Sequence, residues 1–251
     1  MRVRVAVGKR IAAFFDLDGT LIPEPSLERR FFARLRQSGA IVLSNYIRWS
    51  VEAIRLLPSG INRILQNNKL YLHGLGFEQA IQKMEAIRFY EAGVARVAWH
   101  ARQGHRIVIV SGTLEPLAKV AANALGRELK ARGAEAECTV CATRLEEKAR
   151  RWTGRIVGEA VHGEAKSRAI RRMAKEEELD LSRAYAYGNN LEDWQMLSAA
   201  GLGQAVNPEQ ELAKLAKLHD WRIWHWNQTS KTPPDEICGA ERGIQKVESG
   251  T

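Results

Sequence analysis

The chain has 251 residues, 45% of them hydrophobic, which is enough for one α/β domain with an insertion or for two small domains. Lys and Arg outnumber Asp and Glu by 38 to 29, a formal net charge of +9 that suits phosphate esters, anionic membrane surfaces or nucleic acid, although a merely basic solvated surface is the plainer reading. No nucleic-acid-binding signature accompanies that charge, no stretch reaches the ~18 to 20 consecutive apolar residues of a transmembrane helix, and three cysteines do not make a disulfide framework at this size.

Residues 1–10 form a basic lead-in whose Arg2, Arg4, Lys9 and Arg10 interrupt any apolar core, so it does not read as a secretory signal. With the cysteine usage, this points to a reducing, cytoplasmic location. The first strand is expected at Ile11–Phe15, running directly into Asp16-Leu17-Asp18-Gly19-Thr20. Two carboxylates one residue apart repel, and a divalent cation offsets that directly. Pro23 and Pro25 break the chain, and Ser26 before Leu27-Glu28-Arg29 is a helix start.

From there to about residue 103 the pattern is helical. Phe31, Phe32 and Leu35 share one face, and Ile47, Val51, Ile54 and Leu57 another, with Arg48, Glu52 and Arg55 opposite. Pro58-Ser59-Gly60 is a turn, and further helices are expected near 61–70 and 77–103. So long a helical block between two strands implies a separate subdomain. The segment 41–57, with Tyr46 and Trp49, also reads as an interfacial helix that would touch a membrane peripherally. Packing inside a helical subdomain accounts for the same amphipathicity and is the expectation taken here.

Arg106-Ile107-Val108-Ile109-Val110 is a buried parallel strand, followed by Ser111-Gly112-Thr113 and a helix with Thr113 as its cap and Pro116 in its first turn. A strand over 137–142 carries Cys138 and Cys141, whose alternation sends the thiols to opposite faces, as buried structural cysteines. A β excursion with its turn at Gly154 follows, then a helix opened by Gly163-Glu164-Ala165-Lys166. The strand 184–187 leads into Gly188-Asn189-Asn190-Leu191-Glu192-Asp193, and two more strands end near Trp226. Strands alternating with helices call for a parallel sheet covered on both faces. Residues 227–251 lose periodicity and are expected to be a flexible tail.

Four polar clusters therefore fall at strand ends or helix starts: Asp16/Asp18, Ser111/Thr113, Lys166 and Asn189/Asp193. In this order, DLDGT, IVIVSGT, GEAKSRAI and GNNLED resemble the motifs of the haloacid dehalogenase superfamily, specifically its phosphoserine-phosphatase-like branch with a helical cap after the first motif. The resemblance covers about residues 11–226. It implies an α/β, Rossmann-like three-layer core with a parallel sheet (residues 1–22 and 96–226), an inserted α-helical cap (23–95), and Mg²⁺-dependent hydrolysis of a small phosphorylated metabolite.

On that resemblance Asp16 is the nucleophile and forms a phosphoaspartate, and Asp18 is the general acid and base. Thr20 holds the loop, Ser111, Gly112 and Thr113 bind phosphate, and Lys166 neutralises charge on both Asp16 and phosphate. The metal group is Asp16, Asp18 through its carbonyl, Asn189 and, by ordering the water shell or the lysine, Asp193. Two positions depart from the family pattern. Asn189 stands where the fourth motif usually has a metal-binding Asp, and Pro25 stands where phosphoserine phosphatases carry a glutamate for the substrate amine, with Glu24 one place earlier. A phosphotransferase, a lipid-phosphate phosphatase and a weakened phosphate-binding module are the alternatives. Glu24, Arg29, Arg30, Lys69 and Tyr71 are candidates to face substrate, each also readable as a solvated helix residue.

Overall fold

The structure, a computed structural model, describes residues 9–76 and 86–226, without the side chains of residues 59, 62 and 63. The expected tail at 227–251, most of the basic lead-in and the first third of the helix expected over 77–103 lie outside the described residues. The chain opens with β1 (Ala12–Phe15) and three helices, α1 (Leu27–Gln37), α2 (Leu43–Leu56) and α3 (Ile61–Asn67). Next come α4 (Glu91–Arg102), β2 (Arg106–Leu114), α5 (Glu115–Ala131) and β3 (Cys138–Thr143). A hairpin of β4 (Leu145–Lys148) and β5 (Arg151–Ile156) precedes α6 (Glu164–Glu176). The alternation closes with β6 (Tyr185–Gly188), α7 (Trp194–Ala199), β7 (Leu202–Val206), α8 (Gln210–Leu218) and β8 (Arg222–Trp224).

Six of these strands form one parallel sheet in the order β3-β2-β1-β6-β7-β8. All four residues of β1 are buried because both faces of this central strand are covered. Ala13 and Phe15 face α4 and α5 through Val94, Val97, Ala121 and Leu125, while Ala12 and Phe14 face Ile170, Met196 and Leu212 of α6, α7 and α8. Burying each phenylalanine contributes roughly 2 to 3 kcal/mol. The result is the three-layer α/β architecture read from the sequence. Cys138 packs on the first face and Cys141 on the second. Chain continuation runs from β1 to β2 on one side and later to β6 on the other, so the carboxyl end of β1 is the point where strand order reverses. Open α/β sheets keep their ligands there.

Four local expectations are corrected. Residues 86–90 are not helical, and α4 begins only at Glu91. Thr113 does not cap α5: β2 continues to Leu114, which pairs with Thr143 after a register shift, so Leu114 occupies the cap position. The β excursion turns at Ala149 and Arg150, both at positive φ, and not at Gly154. Gly154 lies inside β5 at φ +79°, where a Cβ would come within 2.7 Å of the Leu70 backbone, so the glycine serves close packing.

The fourth correction concerns α2. Its apolar face is turned to solvent: Leu43, Ile47, Val51 and Ile54 are all exposed. Its inward side carries Tyr46 and Trp49, half-buried against the cluster of Phe31, Leu72 and Trp152, together with the polar Asn45. Asn45 is the buried residue of this helix, and its amide donates to the carbonyls of Tyr71 (3.1 Å) and His73 (2.9 Å), while Asn68 donates to Trp49 O (2.8 Å). A buried amide needs these partners, whereas an exposed aliphatic side chain leaves no hydrogen bond unmade, so the hydrogen bonds set the rotation of the helix. Ser26 caps α1 as expected, accepting from Arg29 N, and Phe31 and Leu35 pack with Leu72, Leu117 and Trp152.

Candidate active site

Asp16 is the first residue beyond β1, and its N–H donates to Tyr187 O (2.9 Å), which keeps the backbone in line with the sheet. Its side chain is buried. From the first turn of α6, Lys166 places Nζ 2.5 Å from Asp16 Oδ1 and 2.6 Å from Asp193 Oδ1. Asp193 Oδ2 accepts from the N–H groups of Asn189 (3.0 Å) and Asn190 (3.3 Å), while the Asn190 side chain accepts from Glu192 N. This capping box makes the turn after β6 rigid and aims Asp193 at the lysine.

The loop after Asp16 folds back on itself. Gly19 N donates to Ile22 O, and both Leu21 N and Ile22 N donate to Leu17 O. Gly19 has φ +85°, and a Cβ there would overlap the Asn189 amide at 2.1 Å, so only glycine lets the first and fourth motifs meet. Thr20 is buried, with its hydroxyl 3.4 Å from Asn189 Oδ1. Asp18 turns toward α1, where its Oδ1 accepts from Leu27 N (2.7 Å).

Ser111 lies two residues past Ile109, the sheet partner of Phe15, and so one position beyond the level of Asp16 on the neighbouring strand. Its Oγ accepts from Thr113 N (3.2 Å). Thr113 Oγ1 is buried and has no hydrogen-bond partner among the described residues. The structure thus gathers Asp16, Lys166, Asn189 and Asp193 into one cluster, with Ser111 and Thr113 on the neighbouring strand and Asp18 facing the inserted helices.

Electrostatics distinguish the two aspartates of the first motif. Burial raises the Asp16 pKa and Asp193 adds to it, against the pull of Lys166. Asp18 is pushed up to about 6, mainly by burial, with Glu24 and Glu28 adding to the shift and the Leu27 N–H opposing it. For Lys166 burial disfavours the charge, but the two carboxylates outweigh it and its pKa is raised. One buried cation therefore faces two carboxylates, leaving a negative balance. Asp16 Oδ2 is buried without a hydrogen-bond partner among the described residues, and Asp16 and Asn189 both offer oxygen donors, the chemistry that a hard divalent cation takes. Asp193 spends both of its oxygens on Lys166 and the loop amides.

Two contacts near the site have no counterpart in the sequence reading. His162 Nδ1 lies 3.1 Å from Glu192 Oε2, and the imidazole sits where a Cβ on Gly112 would fall. Glu192 also accepts from Gln66 Nε2 (2.6 Å), tying α3 to the loop that carries Asp193. The hydrogen bond from His162 lowers the Glu192 pKa. Only an i,i+4-type or motif signal would have revealed such a chain, and its members are too far apart in sequence for one. Lys69 and Tyr71 are not solvated helix residues: both are buried, with Lys69 Nζ 2.5 Å and Tyr71 Oη 2.8 Å from the same Glu28 oxygen. Arg30 is held by the carbonyls of Pro23 and Pro25.

Residues 13–198 match the model of the haloacid dehalogenase-like hydrolases. The chain belongs to this family. It is an enzyme of the haloacid dehalogenase (HAD) family, similar over most of its length to proteins named as phosphatases. A probable phosphatase of Mycobacterium tuberculosis, Rv3661, is 28% identical over 229 residues, covering 85% of this chain and 75% of the relative. The phosphoserine phosphatase SerB1 of the same organism is 43% identical, but over 72 residues, 29% of this chain and 23% of its own. Among solved structures, a phospho-aspartyl intermediate analogue of phosphoserine phosphatase superposes with a TM-score of 0.58 at 22% identity, covering 92% of this chain and 98% of the other. A protein of unknown function from Bordetella pertussis reaches 0.65 at 20% identity, covering 87% and 99%. These likenesses carry the HAD fold. Among the described residues no helix is long and apolar enough to cross a membrane.

Proposed function

We propose that this HAD enzyme is a phosphomonoester hydrolase that works through a phosphoaspartate on Asp16, with the helical segment between β1 and α4 acting as a cap over the site. The observation that carries this is the buried Asp16-Lys166-Asp193 cluster at the point where strand order reverses, with one Asp16 oxygen held by Lys166 and the other without a hydrogen bond among the described residues. Asp16 attacks phosphorus, and the bond to the ester oxygen breaks. Asp18 gives its proton to the leaving alkoxide; its raised pKa of about 6 keeps a usable fraction protonated near neutral pH. The Asp18 carboxylate then takes a proton from water, which attacks the phosphoaspartate and releases phosphate.

Lys166 holds charge on Asp16 and on the transferring group, and Ser111 with the N–H groups of the Gly112-Thr113 turn binds phosphoryl oxygens. Mg²⁺ would be held by Asp16, the Asp18 carbonyl and Asn189, and would supply charge neutralisation for the phosphoryl oxygens. Asp193 orients Lys166 and the loop. Pro25 supplies no carboxylate for a phosphoserine amine and Glu28 is committed to Lys69 and Tyr71, which leaves Glu24 as the acidic side chain that a substrate amine would need.

The test is hydrolysis of p-nitrophenyl phosphate with and without Mg²⁺, together with Asp16→Asn. Activity that requires Mg²⁺ and disappears in Asp16→Asn supports the mechanism. Undiminished activity in Asp16→Asn overturns it.

A further inference from the structure

Eight large hydrophobic side chains between residues 42 and 65 are exposed, while elsewhere among the described residues only Val157, Leu191 and Leu218 are. On α2 they fall at i, i+4, i+8 and i+11: Leu43, Ile47, Val51 and Ile54, each between 56% and 75% exposed. At ~100° per residue these four lie within about 80° of one another around the helix. Leu57, after the helix, and Ile61 and Leu65 on α3 extend the exposed apolar surface past the Pro58 turn. So concentrated an apolar face is a contact surface and not a random scatter of exposed aliphatics.

Its rim is basic. Arg48 and Arg55, both exposed, lie on one flank of the stripe, about 40° to 60° beyond Val51 by the same helical geometry. Residues 42–65 contain three arginines against one glutamate, Glu52, and the whole chain carries +9. Long arginine stems let the guanidinium reach headgroup level while the aliphatic side chains enter the apolar layer. A second copy of the chain fits less well, because a two-fold contact through this stripe brings the Arg48 and Arg55 flanks of the two copies together with one glutamate each to offset them. The side chains offered are aliphatic, whereas Tyr46 and Trp49, the residue types that anchor protein interfaces, are half-buried on the other side.

We propose that the α2–α3 surface docks the enzyme on an anionic lipid bilayer and so presents the active site to phosphomonoesters held at that surface. Proximity to the chemistry supports this. Leu65 is exposed on α3, and the next residue, Gln66, bonds Glu192 on the turn that carries Asp193. Docking through the helices places the catalytic loop one side chain from the contact surface. The choice of substrate rests on the phosphatase mechanism above, but docking does not.

Flotation of the purified chain with phosphatidylcholine vesicles, and with vesicles containing about 30% phosphatidylglycerol, tests the inference. The protein is expected to float with the anionic vesicles and to be released by salt. Val51→Ser with Ile54→Ser is expected to lower partitioning at least tenfold, and Arg48→Gln and Arg55→Gln by about fivefold each. All four side chains are exposed, so circular dichroism and solution turnover of p-nitrophenyl phosphate are expected to match the wild type. No flotation of the wild type overturns the proposal. So does a concentration-dependent dimer, seen by light scattering, that the Val51/Ile54 variant abolishes while vesicles are ignored, since the face then belongs to a second copy. Absent p-nitrophenyl phosphate turnover in a protein that floats counts against the catalytic mechanism and leaves the docking supported.

Discussion

Lys166 and Asp193 are 27 residues apart in sequence and 2.6 Å apart in space, and the same Nζ lies 2.5 Å from Asp16. One ammonium therefore answers two buried carboxylates. Its removal is felt in both stability and rate. Lys166→Met is expected to destabilise the fold by about 3 kcal/mol, because two buried carboxylates lose their partner. It is also expected to reduce kcat by at least about a hundredfold. Urea denaturation and steady-state kinetics measure the two effects separately, and a variant with wild-type kcat removes Lys166 from the charge-neutralising role.

Asp18 must be protonated when the ester bond breaks. With its pKa pushed up to about 6, chiefly by burial, the protonated fraction falls as pH rises through 6. Release of the alcohol from an alkyl phosphate in a single turnover is expected to lose about tenfold per pH unit well above that value. Asp18→Asn is expected to slow turnover of alkyl phosphates by about 10² to 10⁴. An alkaline limb that persists unchanged in Asp18→Asn would assign the titration to another group.

Asn189 abuts Gly19 beside Asp16 and contributes a neutral oxygen to the proposed cation site. Asn189→Asp adds charge to that donor set, and affinity of oxygen sites for divalent cations rises with ligand charge. The apparent Mg²⁺ dissociation constant, read from the dependence of Tm on Mg²⁺ concentration, is expected to fall about tenfold. In the absence of Mg²⁺ the variant is expected to melt lower than the wild type, since a third carboxylate then shares a single lysine. Identical Mg²⁺ dependence in the two proteins excludes Asn189 from the cation site.

Beneath the sheet, His100 Nε2 lies 2.8 Å from Tyr187 Oη, which also accepts from Arg96 Nε (2.6 Å), and His100 Nδ1 lies 2.8 Å from His105 Nδ1. Burial, then Arg96 and His105, hold the His100 pKa well below 6.5, so the folded chain keeps this ring neutral. Above pH 6.5 neither the folded nor the unfolded state is protonated here, and stability is unaffected. As pH falls below 6.5 the unfolded state takes up a proton that the folded state refuses. Stability then drops by up to about 1.4 kcal/mol per pH unit until the folded pKa is reached. His100→Asn is expected to flatten that slope between pH 6.5 and 5 in urea titrations, and an unchanged slope assigns the acid sensitivity elsewhere.

The parallel α/β sheet was legible because its signals are local. Ala12–Phe15 and Ile107–Val110 are short apolar runs that end in polar turns, and that pattern alone places Asp16 and Ser111 at strand ends. The hairpin turn was misread because Gly154 is the stronger local signal, yet the chain turns at Ala149-Arg150 and uses the glycine to let β5 pass close to Leu70. Thr113 was misread as a cap because β2 outlasts its hydrophobic run by pairing with β3. The His162-Glu192-Gln66 chain left no trace in sequence, since its members are 30 and 126 residues apart.

The sequence by itself determined the family, the architecture and the residue types that could do chemistry, because strand alternation, glycine positions and paired carboxylates are short-range patterns. Only the tertiary structure decided how charge is shared among Asp16, Lys166 and Asp193, and which way α2 faces. A helix with two usable faces has no local reason to choose between them. Here the buried Asn45, which must hydrogen-bond the Tyr71 and His73 carbonyls, makes the choice and leaves the aliphatic face to solvent.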